Sequence, residues 1–204
     1  MQSKGLKCAV LGAAAVASVL LTGAAQAALQ DRDLNGDTIV DAFYDTDLKI
    51  TWLRDANVNG PMTWTAGLAW VAGYSFGGYA DWRMPIADHC FGYSCSADEM
   101  GHLWYSELAN PAGGPMTNTG NFQNLQLIGG GGYWSGRDRI GGTPTLFLMS
   151  YGYQMPANGL EDIPYSVMAV RDGDVAAVPE AGTYALMLAG LGVLGAVARR
   201  LKQG

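Results

Sequence analysis

Apolar positions along this chain recur with two different periods, and the switches between them mark the expected elements. Ile39 to Tyr44 and Leu48 to Leu53 are short runs rich in β-branched and aromatic side chains, separated by Asp45-Thr46-Asp47. Such runs around an acidic triplet predict a β-hairpin. The period then lengthens. Thr63 is a good N-cap for a helix from Trp64 to about Ala72, with Trp64, Leu68 and Val71 on one face. A second helix is signalled by Ser96-Ala97-Asp98-Glu99, a capping-box pattern, followed by Met100, Leu103, Trp104 and Leu108. Asn110 to Pro115 should end it. Beyond a glycine run at Gly129 to Gly132, Tyr133-Trp134-Ser135, Thr145 to Tyr151 and Tyr165 to Arg171 read as strands. The order predicts an α+β domain of two helices with antiparallel strands and long loops, not alternating βα units.

The two ends of the 204-residue chain have a different character. Lys4 and Lys7 precede an apolar run from Cys8 to Leu21, then Ala25-Gln26-Ala27. This is the pattern of a secretory signal peptide, residues 1–27, cut by signal peptidase after Ala27. At the other end, residues 181–198 carry no charge and could form roughly 27 Å of helix, enough to cross a thin bilayer. Arg199, Arg200 and Lys202 behind them would stay cytoplasmic. Gly190 to Gly195 spells G-x-G-x-x-G, but no strand precedes it and no βαβ unit surrounds it, so a dinucleotide site is rejected.

Residues 28–178 are left as one exported domain. They hold seven Lys/Arg against seventeen Asp/Glu, a net charge of −10. That acidity argues against nucleic acid as a partner, since phosphates need a basic face. Across the chain, 49% hydrophobic and 10% aromatic residues against 15% charged provide ample apolar surface for a core.

Few residues suggest chemistry. Cys90 and Cys95 are the only cysteines left after removal of the signal peptide, and in an oxidising compartment they predict a disulfide. A zinc site with His89 and His102 is the weaker alternative, because the spacing fits no common pattern. Asp31, Asp33, Asn35 and Asp37, with Asp41, open like a calcium loop, but the twelfth position is Ala42 and Asp41 comes one residue early. No cofactor is expected, calcium being possible with weak binding or none. Gly77 to Pro85 is the densest unusual string. Within it Trp82 is expected in the core, with Asp81, Arg83 and Arg171 as structural charges. Arg83 should pair with an acid such as Asp81 or Glu107, and the string leads towards the second helix and its Glu99. Trp82, Tyr133 and Trp134 could alternatively stack on sugar rings. No nucleophile–base set or carboxylate pair stands out, so an enzyme is not expected.

Two resemblances add to this. Val178-Pro179-Glu180, the glycine-rich apolar run, and Arg199-Arg200 resemble the PEP-CTERM sorting signal, with Ala181 where a second proline is usual. The resemblance implies residues 179–204 as a sorting signal read by an exosortase-type transpeptidase. It also implies a precursor anchored in the inner membrane, then release to the surface or extracellular matrix of a Gram-negative bacterium. Ile50 to Asn57, Met62-Thr63-Trp64, Gly77 to Pro85, Glu99 to Leu103, Tyr133 to Ser135 and Ala169 to Gly173 together resemble the Lcl C-terminal domain over about 40–175. That resemblance, with the Trp82-to-Pro85 turn similar to an element of formylglycine-generating sulfatase-modifying domains, implies a C-type-lectin-like fold and a surface location. The first reading is then a non-catalytic, polysaccharide- or surface-binding module in adhesion or biofilm. An enzyme acting on matrix polysaccharide and a purely structural matrix component are the alternatives.

Overall fold

The computed structural model describes residues 29–87, 90–127, 131–136 and 143–175, with Leu188, Ala189 and Leu191. The signal peptide, His89, and most of the tail fall outside these residues. Among the described residues no helix is long and apolar enough to cross a membrane. The apolar run at 181–198, expected to do so, lies outside them but for Leu188, Ala189 and Leu191, which are helical.

The domain is α+β, with every strand ladder antiparallel. The expected hairpin is present as β2 (Ala42–Asp45) and β3 (Ile50–Leu53), with Phe43 opposite Trp52. Two further strands flank it: β1 (Leu29–Arg32) pairs with β2, and β7 (Val170–Asp172) pairs with β3, giving the order β1-β2-β3-β7. A second sheet has the order β4-β5-β6, from Gly132–Trp134, Thr145–Leu148 and Tyr153–Pro156. The run Tyr165 to Arg171, expected as one strand, instead connects the two sheets. Its Tyr165 bridges Met62 and its Ser166 bridges Tyr133 before β7 begins at Val170. The run expected at 145–151 stops at Leu148, turns through 149–152 and returns as β6.

Adjacent residues on a strand point to opposite faces, and here both faces are buried. Phe43, Trp52, Tyr133, Phe147 and Val170 enter one core cluster; Ala42, Leu53, Trp134, Leu146 and Ala169 enter another. Helix α1 (Trp64–Gly73) supplies Val71 to the second cluster, with Trp64 and Leu68 packed against it. Its Thr63 hydroxyl caps the helix by accepting from the Ala66 N–H at 3.4 Å. Gly67 lets α1 approach closely, since a side chain there would run into Met84 and Val167.

Helix α2 (Glu99–His102) and the π-helical turn that continues it (Leu103–Glu107) supply Met100, Leu103, Trp104 and Leu108 to the first cluster. The capping box expected at Ser96–Glu99 does not form. Asp98 is the N-cap residue and makes no side-chain cap bond, while the Glu99 carboxylate turns away to Arg83 and the Ile86 N–H.

Candidate functional site

Trp82, Tyr133 and Trp134 are 3%, 0% and 0% exposed, which corrects the expectation that they offer ring faces to a sugar. Each polar ring atom is used inside the protein. The Trp82 and Trp134 indoles donate to the Tyr79 carbonyl (3.1 Å) and the Met62 carbonyl (2.9 Å). The Tyr133 hydroxyl accepts from the Gln126 N–H at 2.8 Å, and burial pushes its pKa up to about 12.

The three residues read as structural charges form two ion-pair groups. Arg83 binds Glu99 with both terminal nitrogens (2.8 and 2.7 Å) and Asp172 with Nε and one terminal nitrogen (3.0 and 2.6 Å). Its partners are therefore Glu99 and Asp172, not Asp81 or Glu107. Burial opposes the Arg83 charge, but these carboxylates overcome it and raise its pKa. Asp81 belongs instead to Arg171, which holds it bidentately at 2.9 and 2.8 Å and lies over the Tyr79 ring. The tight turn that opens this string needs Gly77, whose φ is +59° and where a side chain would meet Leu34.

Cys90 and Cys95 form the expected disulfide, so neither offers a thiolate to zinc. The loop they close lies against β6, with Gly92 and Gln154 exchanging backbone hydrogen bonds of 2.8 and 2.9 Å. This contact brings tyrosines together. Tyr93, at the tip of the loop, packs edge-on against Tyr153 at 4.9 Å between centroids. Tyr105 donates its hydroxyl to the Gly152 carbonyl at the base of the same turn. Tyr93 is 50% exposed and Tyr151, in that turn, 46%. A bulky aromatic between two close cysteines was a sequence signal for this surface, and the reading missed it.

The acidic segment is a turn closed by its own carboxylates. Asp33 accepts from the N–H groups of Asn35, Gly36 and Thr38, and Asn35 and Asp37 accept from Asp37 and Ile39. Desolvation works against the Asp33 charge, yet together those N–H groups outweigh it and hold its carboxyl below the usual range. Asp41 accepts from Leu34 and is pushed the other way, by burial and by Asp37 and Asp33. Asp33, Asp37 and Asp41 gather within 4.8 Å, whereas Asp31, the first position of the expected loop, lies in β1 opposite Phe43.

Another group was not foreseen. Asp45, His102 and Glu107 present ligand atoms that also lie within 4.8 Å of one another. His102 Nε2 is 3.1 Å from Glu107 Oε1 and 3.8 Å from Asp45 Oδ2. Burial, then the nearby Asp45 charge, raise the Glu107 pKa against the opposing pull of His102. Residues five apart share no face of a regular helix, so spacing alone gave no hint of this group.

The tail decides where such a domain is sent. Residues 177–202 match the PEP-CTERM protein-sorting motif. The match covers the tail, each end two residues before the expected 179–204. No curated protein and no solved structure matches the chain. The sorting motif makes this an exported protein whose membrane-anchored precursor is processed by an exosortase-type system.

Proposed function

We propose that the exported domain is a non-catalytic module that binds neutral polysaccharide at the surface or in the matrix of a Gram-negative bacterium. The observation that carries this reading is the tyrosine pair beside the disulfide loop, Tyr153 edge-on to half-exposed Tyr93, with exposed Tyr151 in the turn that leads into β6. Phenol rings offer an apolar face for a pyranose and a hydroxyl for its polar edge, at small entropic cost. The sorting motif supports export, and the resemblance to the Lcl C-terminal domain supports a surface location and a C-type-lectin-like fold. A domain at −10 repels sulfated polymers, which favours a neutral glycan or the cell's own exopolysaccharide.

The test is a glycan array followed by titration of the best neutral oligosaccharide. If each ring contributes about 1 kcal/mol, replacing Tyr93 and Tyr151 together by Ala should weaken binding roughly 10- to 50-fold. Melting should stay near wild type, because both side chains are half exposed. Unchanged affinity in the double variant, or a wild type that binds no neutral glycan, rejects this reading.

A further inference from the structure

We infer that Asp45, His102 and Glu107 form a binding site for one divalent first-row transition-metal cation, of the zinc and cobalt class. Asp45 ends β2, and its Oδ1 is fixed by the N–H groups of Asp47 (3.0 Å) and Leu48 (2.9 Å). Its Oδ2, on a fully buried side chain, has no hydrogen-bond partner and faces His102 Nε2. Glu107 repeats the pattern: Oε1 meets His102, while Oε2 is buried and has no partner.

The π-helical turn creates the site. In an α-helix, side chains five residues apart diverge by about 140°. Here the Leu108 N–H reaches back five residues to the Leu103 carbonyl at 2.9 Å. The widened turn brings His102 and Glu107 to one side, against the end of β2. Single π turns inside helices recur at functional sites.

The arrangement is deficient without a cation. One imidazole Nε2 has a single proton to offer, and two buried carboxylates compete for it. An unpaired carboxylate oxygen in the interior is costly. Exposed Asp47 adds further negative charge near Glu107. Donors bound about 2.0–2.2 Å from one tetrahedral cation lie roughly 3.4 Å apart. The observed 3.1 and 3.8 Å bracket that separation. The mixed nitrogen and carboxylate set favours a borderline cation over calcium or magnesium, which prefer oxygen alone. Glu107 also lines an open cleft of about 260 Å³, together with Asp31, Phe43 and Asn118.

The test uses the full chain in detergent, stripped with a chelator and titrated with zinc, manganese and cobalt chloride by calorimetry. One equivalent per chain is expected, and bound cobalt should show visible absorption with nitrogen and oxygen ligands. Glu107→Gln and Asp45→Asn should each weaken binding at least ~100-fold, while Asp37→Asn in the acidic turn leaves it unchanged. Because either variant could misfold, NMR on His89→Gln, which retains one imidazole, provides an independent measurement. Zinc should shift the His102 ring signals. Unmoved ring signals, less than one equivalent at millimolar metal, or binding lost in Asp37→Asn but kept in Glu107→Gln would overturn the assignment.

Discussion

Arg83 joins the Gly77–Pro85 string to α2 through Glu99 and to β7 through Asp172, and its own backbone pairs with Val170 at 2.7 and 2.8 Å. Its side chain is 30% exposed and that of Glu99 14%, so the pair lies between the surface and the interior. Exposed pairs contribute about 0–1 kcal/mol, and removing one partner of a buried pair costs about 3–5. Arg83→Ala should therefore cost about 2–3 kcal/mol, read from urea unfolding. Arg83→Lys should recover only part, because an ammonium cannot match the bidentate fork. A variant with wild-type stability would show that Glu99 is satisfied without it. That Arg83 would need carboxylate partners was legible in the sequence, since a cation between Trp82 and Met84-Pro85 must find acceptors. The choice of Glu99 over Asp81 and Glu107 was not, because tertiary packing decides which carboxylate arrives. The same holds for Trp82, Tyr133 and Trp134. Their composition suits a sugar platform as well as a core, and only the two-faced burial of the strands separates these readings.

Among the elements, the β2–β3 hairpin and α1 were legible because alternation, turn residues and cap agree with one another. Strand β1 escaped notice because Leu29-Gln30-Asp31-Arg32 is polar, as suits an edge. Strand β6 escaped because Tyr153-Gln154-Met155-Pro156 has little alternation and ends in proline. The π turn left no trace in the pattern, since Met100, Leu103, Trp104 and Leu108 also fit a regular helix. The disulfide between Cys90 and Cys95 acts at this scale. It encloses a loop of sequence separation 5 and holds the backbone that carries Tyr93 against β6. By loop-closure entropy a bridge this short contributes about 2 kcal/mol. Replacing both cysteines by Ser should lower unfolding stability by about that amount. Hydrogen exchange should rise at the Gly92 and Gln154 amides, which lose their tether. Equal stability and unchanged exchange in that variant would show that the β6 contacts hold the loop unaided.

In the whole molecule, β1 and β7 are the two edges of one sheet, yet Arg32 near its start reaches Asp174 near its end with contacts of 2.7 and 2.8 Å. The segments that enter and leave the domain are thereby clasped to each other. Val175 is buried in the second core cluster, and the sorting motif begins at residue 177. Almost no chain separates the folded domain from the signal that directs its processing. Pro179 and Glu180 both lie outside the described residues; changing Glu180 should leave the domain's stability intact and alter only its fate. With Glu180→Ala, the cell should accumulate a heavier, membrane-associated species that retains Arg199 and Arg200. The wild type should yield a shorter product, whose C-terminal peptide from mass spectrometry ends before the apolar run. If variant and wild type have the same mass and the same distribution between membrane and medium, Glu180 is not read during sorting. Processing would then depend on the apolar run and basic cluster alone.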